Sequence, residues 1–226
     1  TFNTTGNGNT ANGYNALYSN TTGFSNVAVG VRALYNNTYR SNLVAIGDST
    51  LFSNTTGASN AAVGSKALYS NTTGSFNTAN GNSALYDNTE GNFNTAIGTN
   101  ALSNNTTGGG NMAIGYNALL FNTTGYNNTA NGSFALTYNT TGNYNTANGS
   151  YALRENTTGY SNVAVGVRAL YNNTDKSNLV AIGDSALYNN GVGAFSWEAN
   201  FNTAIGSKAL YTNTTGYLNT AIGNEA

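Results

Sequence analysis

This 226-residue chain contains no cysteine, no histidine and no proline, and only 7% of its residues are charged. The absence of Cys and His removes the usual ligands for zinc, iron–sulfur and haem groups, so no metal or cofactor is expected. It also removes the base that a serine nucleophile needs. Without cysteine the redox compartment stays open, a composition compatible with an extracellular fibre. The formal net charge of −1 gives no basic footprint for nucleic acid and no polybasic stretch for an anionic membrane. No apolar run approaches the roughly 18 residues that span a bilayer, and no signal peptide opens the chain. The sequence begins and ends inside a repeat. That is expected of a segment of something longer, or of a unit that stacks end to end.

What the chain does have is a rhythm. The glycine of an Ala-x-Gly triplet stands at Gly13, Gly30, Gly47, Gly64, Gly81, Gly98, Gly115, Gly132, Gly149, Gly166 and Gly183, and again at Gly206 and Gly223. The spacing is 17 residues throughout, except for one step of 23. A period of this length predicts a solenoid whose units close their core only by stacking on neighbours. The expected fold is therefore all-β: a parallel β-solenoid or β-roll of about thirteen coils. Residues 1–226 are read as a single repeat domain with a six-residue insertion inside 190–201. At about 4.8 Å per coil, thirteen coils predict a rod of roughly 60 Å.

One coil, Asn9 to Ser25, shows the reading. Asn9–Gly13 is expected to be a strand, Ala16-Leu17-Tyr18 a second strand, and Asn20-Thr21-Thr22-Gly23 the returning turn, with glycine supplying positive φ at the corners. Helix is disfavoured by the Asn, Thr and Gly content and by the lack of a 3.6-residue stripe. Ala11 and its twelve equivalents are all alanine, and Leu17 has leucine at every equivalent. Both are placed inside, small facing large. Asn20 and its equivalents are expected to hydrogen-bond in a ladder along the axis. Among them Asn20, Asn54, Asn71, Asn105, Asn122, Asn139, Asn156 and Asn213 also begin Asn-Thr-Thr sequons. These could carry glycans in a eukaryotic secreted protein only if they were not in the ladder.

Because strand residues alternate faces, the neighbours of the invariant alanine must point outward. They include Val27, Val29, Val44, Ile46, Val63, Ile97, Ile114, Val163, Val165, Val180, Ile182, Ile205 and Ile222. Soluble monomers rarely expose such a stripe, and covering it contributes about 2 kcal/mol per coil. The expectation is a homo-oligomer, most simply a trimer, with this stripe as its interface. Against that stands a monomer with a tolerated stripe.

Two irregularities stand out. Phe24–Phe52 and Tyr160–Tyr188 agree at 24 of 29 positions, eight coils apart, as if a block had been duplicated. In both copies a corner glycine is replaced, by Arg40 and by Lys176, and a different turn is expected there. The insertion carries the only tryptophan, Trp197, with Phe195 and Glu198. Solenoid insertions map to one exposed side and often bind something. The alternative is a loop whose tryptophan packs back on the solenoid. Tyrosines follow the invariant leucine (Tyr18, Tyr35, Tyr69, Tyr86, Tyr171, Tyr188, Tyr211) or a corner glycine (Tyr126, Tyr160, Tyr217). Phe195, Trp197, Tyr126, Tyr160 and Tyr217 are the candidate surface-binding residues, while rows of repeated aromatics otherwise read as packing. The acids Asp48, Asp87, Glu90, Glu155, Asp175, Asp184, Glu198 and Glu225 suggest no gathered catalytic pair, and no enzyme is expected.

The units Asn94–Gly98, Asn202–Gly206 and Asn219–Gly223 (Asn-Thr-Ala-Ile-Gly), with Val27–Gly30 and Val163–Gly166 (Val-Ala-Val-Gly), resemble the head repeats of trimeric autotransporter adhesins. The likeness spans essentially the whole chain. It implies a left-handed parallel β-roll, three chains about one axis, displayed on a bacterial surface, with no catalytic residues. The Asn-Thr-Ala-x-Gly…Ala-Leu…Asn-Thr-Thr-Gly pattern is also similar to repeats of phage tail-fibre-type proteins. The period of 17 rather than about 14 departs from the adhesin pattern, with the extra residues at the Asn-Thr-Thr-Gly corner. The functional expectation is a structural, adhesive segment of an extracellular fibre or virion fibre, with a host surface or glycan as possible ligand. A filament subunit stacking end to end is the alternative, and an ice-binding face at Thr10–Asn12, Thr78–Asn80, Thr129–Asn131 and Thr146–Asn148 is a third reading.

Overall fold

A computed structural model describes residues 2–226. It is an all-β parallel solenoid with a repeat of about 17 residues and thirteen three-residue strands, and without helix among the described residues. The chain divides into two compact units, residues 1–111 and 112–226. The first holds β1 (Thr10–Asn12), β2 (Val27–Val29), β3 (Val44–Ile46), β4 (Ala61–Val63), β5 (Thr78–Asn80) and β6 (Thr95–Ile97). The second holds β7 (Met112–Ile114), β8 (Thr129–Asn131), β9 (Thr146–Asn148), β10 (Val163–Val165), β11 (Val180–Ile182), β12 (Thr203–Ile205) and β13 (Thr220–Ile222). Within each unit consecutive strands pair in parallel with alanine opposite alanine, as in Ala28 with Ala45 and Ala164 with Ala181. The six extra residues do not disturb this register, since Ala181 pairs with Ala204.

The core is where the sequence places it. In complete coils the strand alanine and the leucine are fully buried, as at Ala62 and Leu68. A second alanine column joins them (Ala33, Ala67, Ala84, Ala101), a feature the sequence reading did not use. Thr50 takes that place in one coil and remains buried because its hydroxyl donates to the Gly64 carbonyl at 2.7 Å.

The second wall is not a strand. Ala16, Leu17 and Tyr18 lie in a turn, and the twelve core leucines have φ between 50° and 53°. The residue two before each leucine is also left-handed, as at Asn15, Arg32 and Lys66. A left-handed L-residue costs roughly 1–2 kcal/mol. Two gains hold it there. Leucine is buried, and the wall still bonds to both neighbouring coils: the Leu68 N–H donates to the Ala84 carbonyl at 3.0 Å, and the Lys66 N–H donates back to Asp48 at 2.8 Å.

The two kinds of glycine corner differ physically. Gly13 and its equivalents have φ of 129–147°, the region where glycine is favoured. Gly57 and its kin have ordinary φ; there a Cβ would meet the Asn54 Oδ1 and Asn71 Nδ2 atoms at 2.6 Å each. The corners at Arg40 and Lys176 do not take a different turn. Asn37 Nδ2 donates to the Arg40 carbonyl at 3.0 Å, as Asn54 does to Gly57. In both places the residue three further on is leucine, Leu43 or Leu179, instead of the asparagine whose amide approaches the corner elsewhere.

The asparagine ladder is present. Asn71 Nδ2 donates to Asn54 Oδ1 at 2.8 Å and to the Gly74 carbonyl at 3.0 Å; Asn88 Nδ2 donates to Asn71 Oδ1 at 2.9 Å. In the second unit Asn139, Asn156 and Asn173 continue the same pattern. Apart from the half-buried Asn213, the sequon asparagines named above have buried side chains, so a glycan on them has no room in the folded chain. A second ladder runs beside the first. The Asn77 N–H donates to Asn60 Oδ1 at 2.9 Å while Asn77 Nδ2 donates to the Gly91 carbonyl at 2.8 Å.

Candidate interaction surfaces

Three surfaces stand out from the sequence: the Val/Ile stripe, the aromatic rows and the insertion. On the strand face the central alanine is buried and its neighbours point out. Ile46, Val63, Ile97, Ile182 and Ile205 are 36–40% exposed, and Val27, Val29, Val44, Ile114, Val163, Val165 and Val180 are half-buried. Ile222 in β13 is exposed. The stripe therefore runs outward along each unit.

The tyrosines that follow the core leucine pack on one another. Tyr18, Tyr35, Phe52, Tyr69 and Tyr86 form a stack with ring centroids 5.0–5.2 Å apart and planes within 14°. Tyr171, Tyr188 and Tyr211 repeat it in the second unit at 5.1 Å. The spacing is that of one coil, so identical rings one repeat apart meet face to face. Arg154 fills one place in this column. Its guanidinium lies 5.0 Å from the Tyr138 centroid and 5.5 Å from that of Tyr171, and it donates to the Tyr171 hydroxyl at 2.8 Å. Glu155 pairs with it directly. Burial pulls the Arg154 pKa down, but Glu155, Tyr171 and Tyr138 together hold it above its ordinary value. Rings stacked this way have little free face for a ligand.

Of the five candidate surface aromatics, the structure brings three together. Phe195 and Trp197 lie parallel within 8°, with centroids 6.3 Å apart, and Trp197 meets the edge of Tyr217 at 6.2 Å. Tyr126 and Tyr160 lie elsewhere. They share the column of Tyr217 but sit several coils from it, and Tyr126 packs edge-on against Tyr144 at 5.1 Å. Hydrogen bonding to Tyr144 raises the Tyr126 pKa. The tryptophan does not fold back into the solenoid: Trp197 is 64% exposed and Phe195 71%.

The insertion is tied down beneath these rings. Lys176, 1% exposed, sends its Nζ to the Phe195 carbonyl at 2.7 Å and the Ala194 carbonyl at 3.3 Å, and pairs with Asp175 at 3.2 Å. Gly191, at φ 79°, faces the lysine stem; a Cβ there would lie 2.6 Å from Lys176 Cγ. The Gly191 N–H donates to Thr214 at 3.0 Å and the Ala199 N–H to Thr215 at 3.1 Å. The signal for this anchor was in the sequence: a lysine at a corner reserved for glycine, one coil before the insertion. The insertion also breaks the asparagine ladder. Asn190 turns its Nδ2 to the Ala199 carbonyl at 2.8 Å, and the buried Asn173 Oδ1 is left without a hydrogen-bond partner. On one flank an open groove of about 470 Å³ is lined by Glu155, Asn172, Thr174, Asn189, Gly191 and Val192.

Among the described residues no group of three or more His, Cys, Asp or Glu is placed to hold a metal, and no helix is long and apolar enough to cross a membrane. Partial burial raises the Asp87 carboxyl above its ordinary value of 3.8. A raised carboxyl pKa means that the folded chain resists ionisation. The stability it contributes is present below the unfolded value and lost as pH rises through the folded one. Asp87→Asn should therefore melt slightly higher than the parent at pH 7. The gap should close as pH falls below the ordinary carboxylate value, which thermal melts across pH 3 to 7 would read.

Comparison with protein-family models, with curated proteins and with solved structures finds no match to this chain.

Proposed function

We propose that this chain is a rigid, non-enzymatic structural and adhesive segment of an extracellular fibre or surface adhesin head, assembled as a homo-oligomer. The observation that carries the reading is the row of outward Val and Ile side chains on the strand face of both units. Stacked coils set the Val and Ile side chains in one outward row on each unit, and a second copy with the same 17-residue pitch can match it in register. A trimer about a common axis would place every copy's stripe at that axis. The uncharged, Asn- and Thr-rich remainder supports a scaffold role, since its polar side chains are largely spent on ladders and corners that hold the coil. Adhesion falls to the exposed aromatics that those ladders position.

Light scattering under native conditions tests the assembly. The expected mass is a multiple of the 23.3 kDa chain, three-fold in the simplest case. Ile46→Asn, Val63→Asn and Ile97→Asn together should lower it to that of one chain while the far-ultraviolet spectrum stays unchanged. A parent chain that runs as a monomer at tens of micromolar would remove the stripe as an interface.

A further inference from the structure

The cluster formed by Phe195, Trp197 and Tyr217 has features that packing does not account for. The rings that follow the core leucine stack face to face and are half-buried, as at Tyr18, Tyr35, Tyr171 and Tyr188; exposed rings on regular coils, such as Phe76 and Phe93, pair with their column neighbours. Here two of the largest apolar side chains stand about two-thirds exposed or more. The loop that carries them is held at Lys176, Gly191, Ala199 and Asn200, the last through the Ser177 N–H donating to Asn200 Oδ1 at 2.8 Å. It is kept at a local cost, a broken asparagine ladder with one orphaned buried acceptor and a buried lysine. Departures from an otherwise consistent repeat are expected where function resides. Rings held in advance also lose little entropy on binding.

The charges around the rings select the ligand. Glu198 Oε2 accepts the Phe195 N–H at 2.8 Å, which fixes a carboxylate beside the aromatic pair. The nearest cation, Lys176, is buried and committed to the loop carbonyls and Asp175. An acidic ligand or an anionic lipid surface therefore meets a negative charge with no compensating positive one. Aromatic faces flanked by a carboxylate, by Ser196 and by Asn200 suit a molecule with both C–H faces and hydroxyl groups.

Building on the adhesive reading above, we propose that Phe195, Trp197 and Tyr217 form a binding site for an uncharged, pyranose-containing glycan. The sugar lays its C–H face on the indole and phenyl rings and gives its hydroxyls to Glu198. Lys176 is a positioning residue that acts through the loop.

Trp197 is the only tryptophan in the chain, so its fluorescence reports this site alone. The full chain is titrated with chitohexaose, maltohexaose and cellohexaose, with sialyllactose as the acidic control, and is also applied to an array of immobilised neutral and acidic glycans. The expected result is a saturable change in emission with at least one neutral oligosaccharide, at a Kd of about 1 mM or tighter, and none with sialyllactose. Trp197→Ala and Phe195→Ala, both at exposed positions, should weaken array binding at least tenfold without moving the melting temperature. Lys176→Met should weaken it as well, by freeing the loop, although all three ring side chains are retained. No saturable response and no neutral-glycan binding on the array would overturn the site, as would binding that survives Trp197→Ala or favours acidic glycans. The two readings fail separately. Oligomers that still adhere to surfaces after Trp197→Ala leave the fibre reading standing and remove this site. Tryptophan-dependent sugar binding by a monomer does the reverse.

Discussion

Gly47→Ala is expected to destabilise the first unit by roughly 2–5 kcal/mol, the sum of an overpacked contact and a left-handed alanine. The reason lies in the stacking. Gly47 has φ 137°, and a Cβ there would sit 2.6 Å from both the carbonyl carbon and oxygen of Gly64, one coil on. Those atoms are backbone, so no side chain can swing aside. Moving the backbone would stretch the bonds on either side of the corner, from the Gly47 N–H to Val29 and from the Gly64 N–H to Ile46, both 2.7 Å. Because every coil rests on its neighbours, strain at one corner is passed along the stack. Gly193→Ala is the matching control. It too has positive φ, 72°, but a Cβ there meets nothing within 4 Å. Its cost should be limited to backbone strain, about 1–2 kcal/mol. Urea denaturation of the two variants separates the terms. Equal losses would mean that corner crowding is relieved by a shift in the stack, and that the close approach of coils is not what holds glycine at this position.

The period alone makes the stacking, the parallel register and the burial of alanine and leucine readable. A residue that recurs without exception every 17 positions has the same neighbour above and below, so one coil's environment is every coil's. The ladder through Asn20, Asn71 and Asn156 is legible for the same reason. What periodicity does not encode is backbone dihedral. Ala16-Leu17-Tyr18 looks like strand by side-chain type, yet its leucine is left-handed because that geometry aims it inward while its N–H reaches the next coil. The second ladder was hidden in plain view: Asn60 and Asn77 belong to a column that is asparagine in every coil but two, where Leu43 and Leu179 stand, and their donors reach across 14 residues to a corner carbonyl, which a one-coil reading does not connect. The surface cluster divides similarly. Phe195 and Trp197 were visible as an aromatic insertion. That Tyr217 joins them while Tyr126 and Tyr160 do not depends on which coil the insertion overhangs, and the loop is tied there by Lys176 and by the Gly191 and Ala199 N–H groups on Thr214 and Thr215. The tyrosine column could be read either as ligand-binding or as packing, and the 5 Å coil spacing decides for packing because it equals the spacing of stacked rings.

That logic gives the second large effect, at the centre of the first ladder. Asn71→Leu keeps the number and branching of side-chain heavy atoms and removes three hydrogen bonds. It leaves the Asn54 Oδ1 atom and the Gly74 carbonyl each short of a donor, and Asn88 Nδ2 short of an acceptor. Gly74 retains the Asn60 amide at 2.8 Å, and Asn88 retains the Gly91 carbonyl at 3.0 Å, so neither is wholly orphaned. Asn54 keeps its own donations to Asn37 and Gly57, but its Oδ1 loses the Asn71 amide. With an unmet buried group costing about 1–3 kcal/mol, and two more partly unmet, the expected loss is roughly 3–5 kcal/mol. Leucine's greater hydrophobicity offsets little of this, because its neighbours above and below are amides. Asn71 paired with Asn54, both changed to leucine, supplies the decisive comparison. If the ladder's worth lies in mutual satisfaction, the double variant should lose less than the sum of the two single losses, since the Asn71–Asn54 bond is then removed from both sides. Denaturant melts of the four chains measure that coupling. Additive losses would show that the asparagines are held by the corner carbonyls alone, and that the column from coil to coil contributes nothing to cohesion.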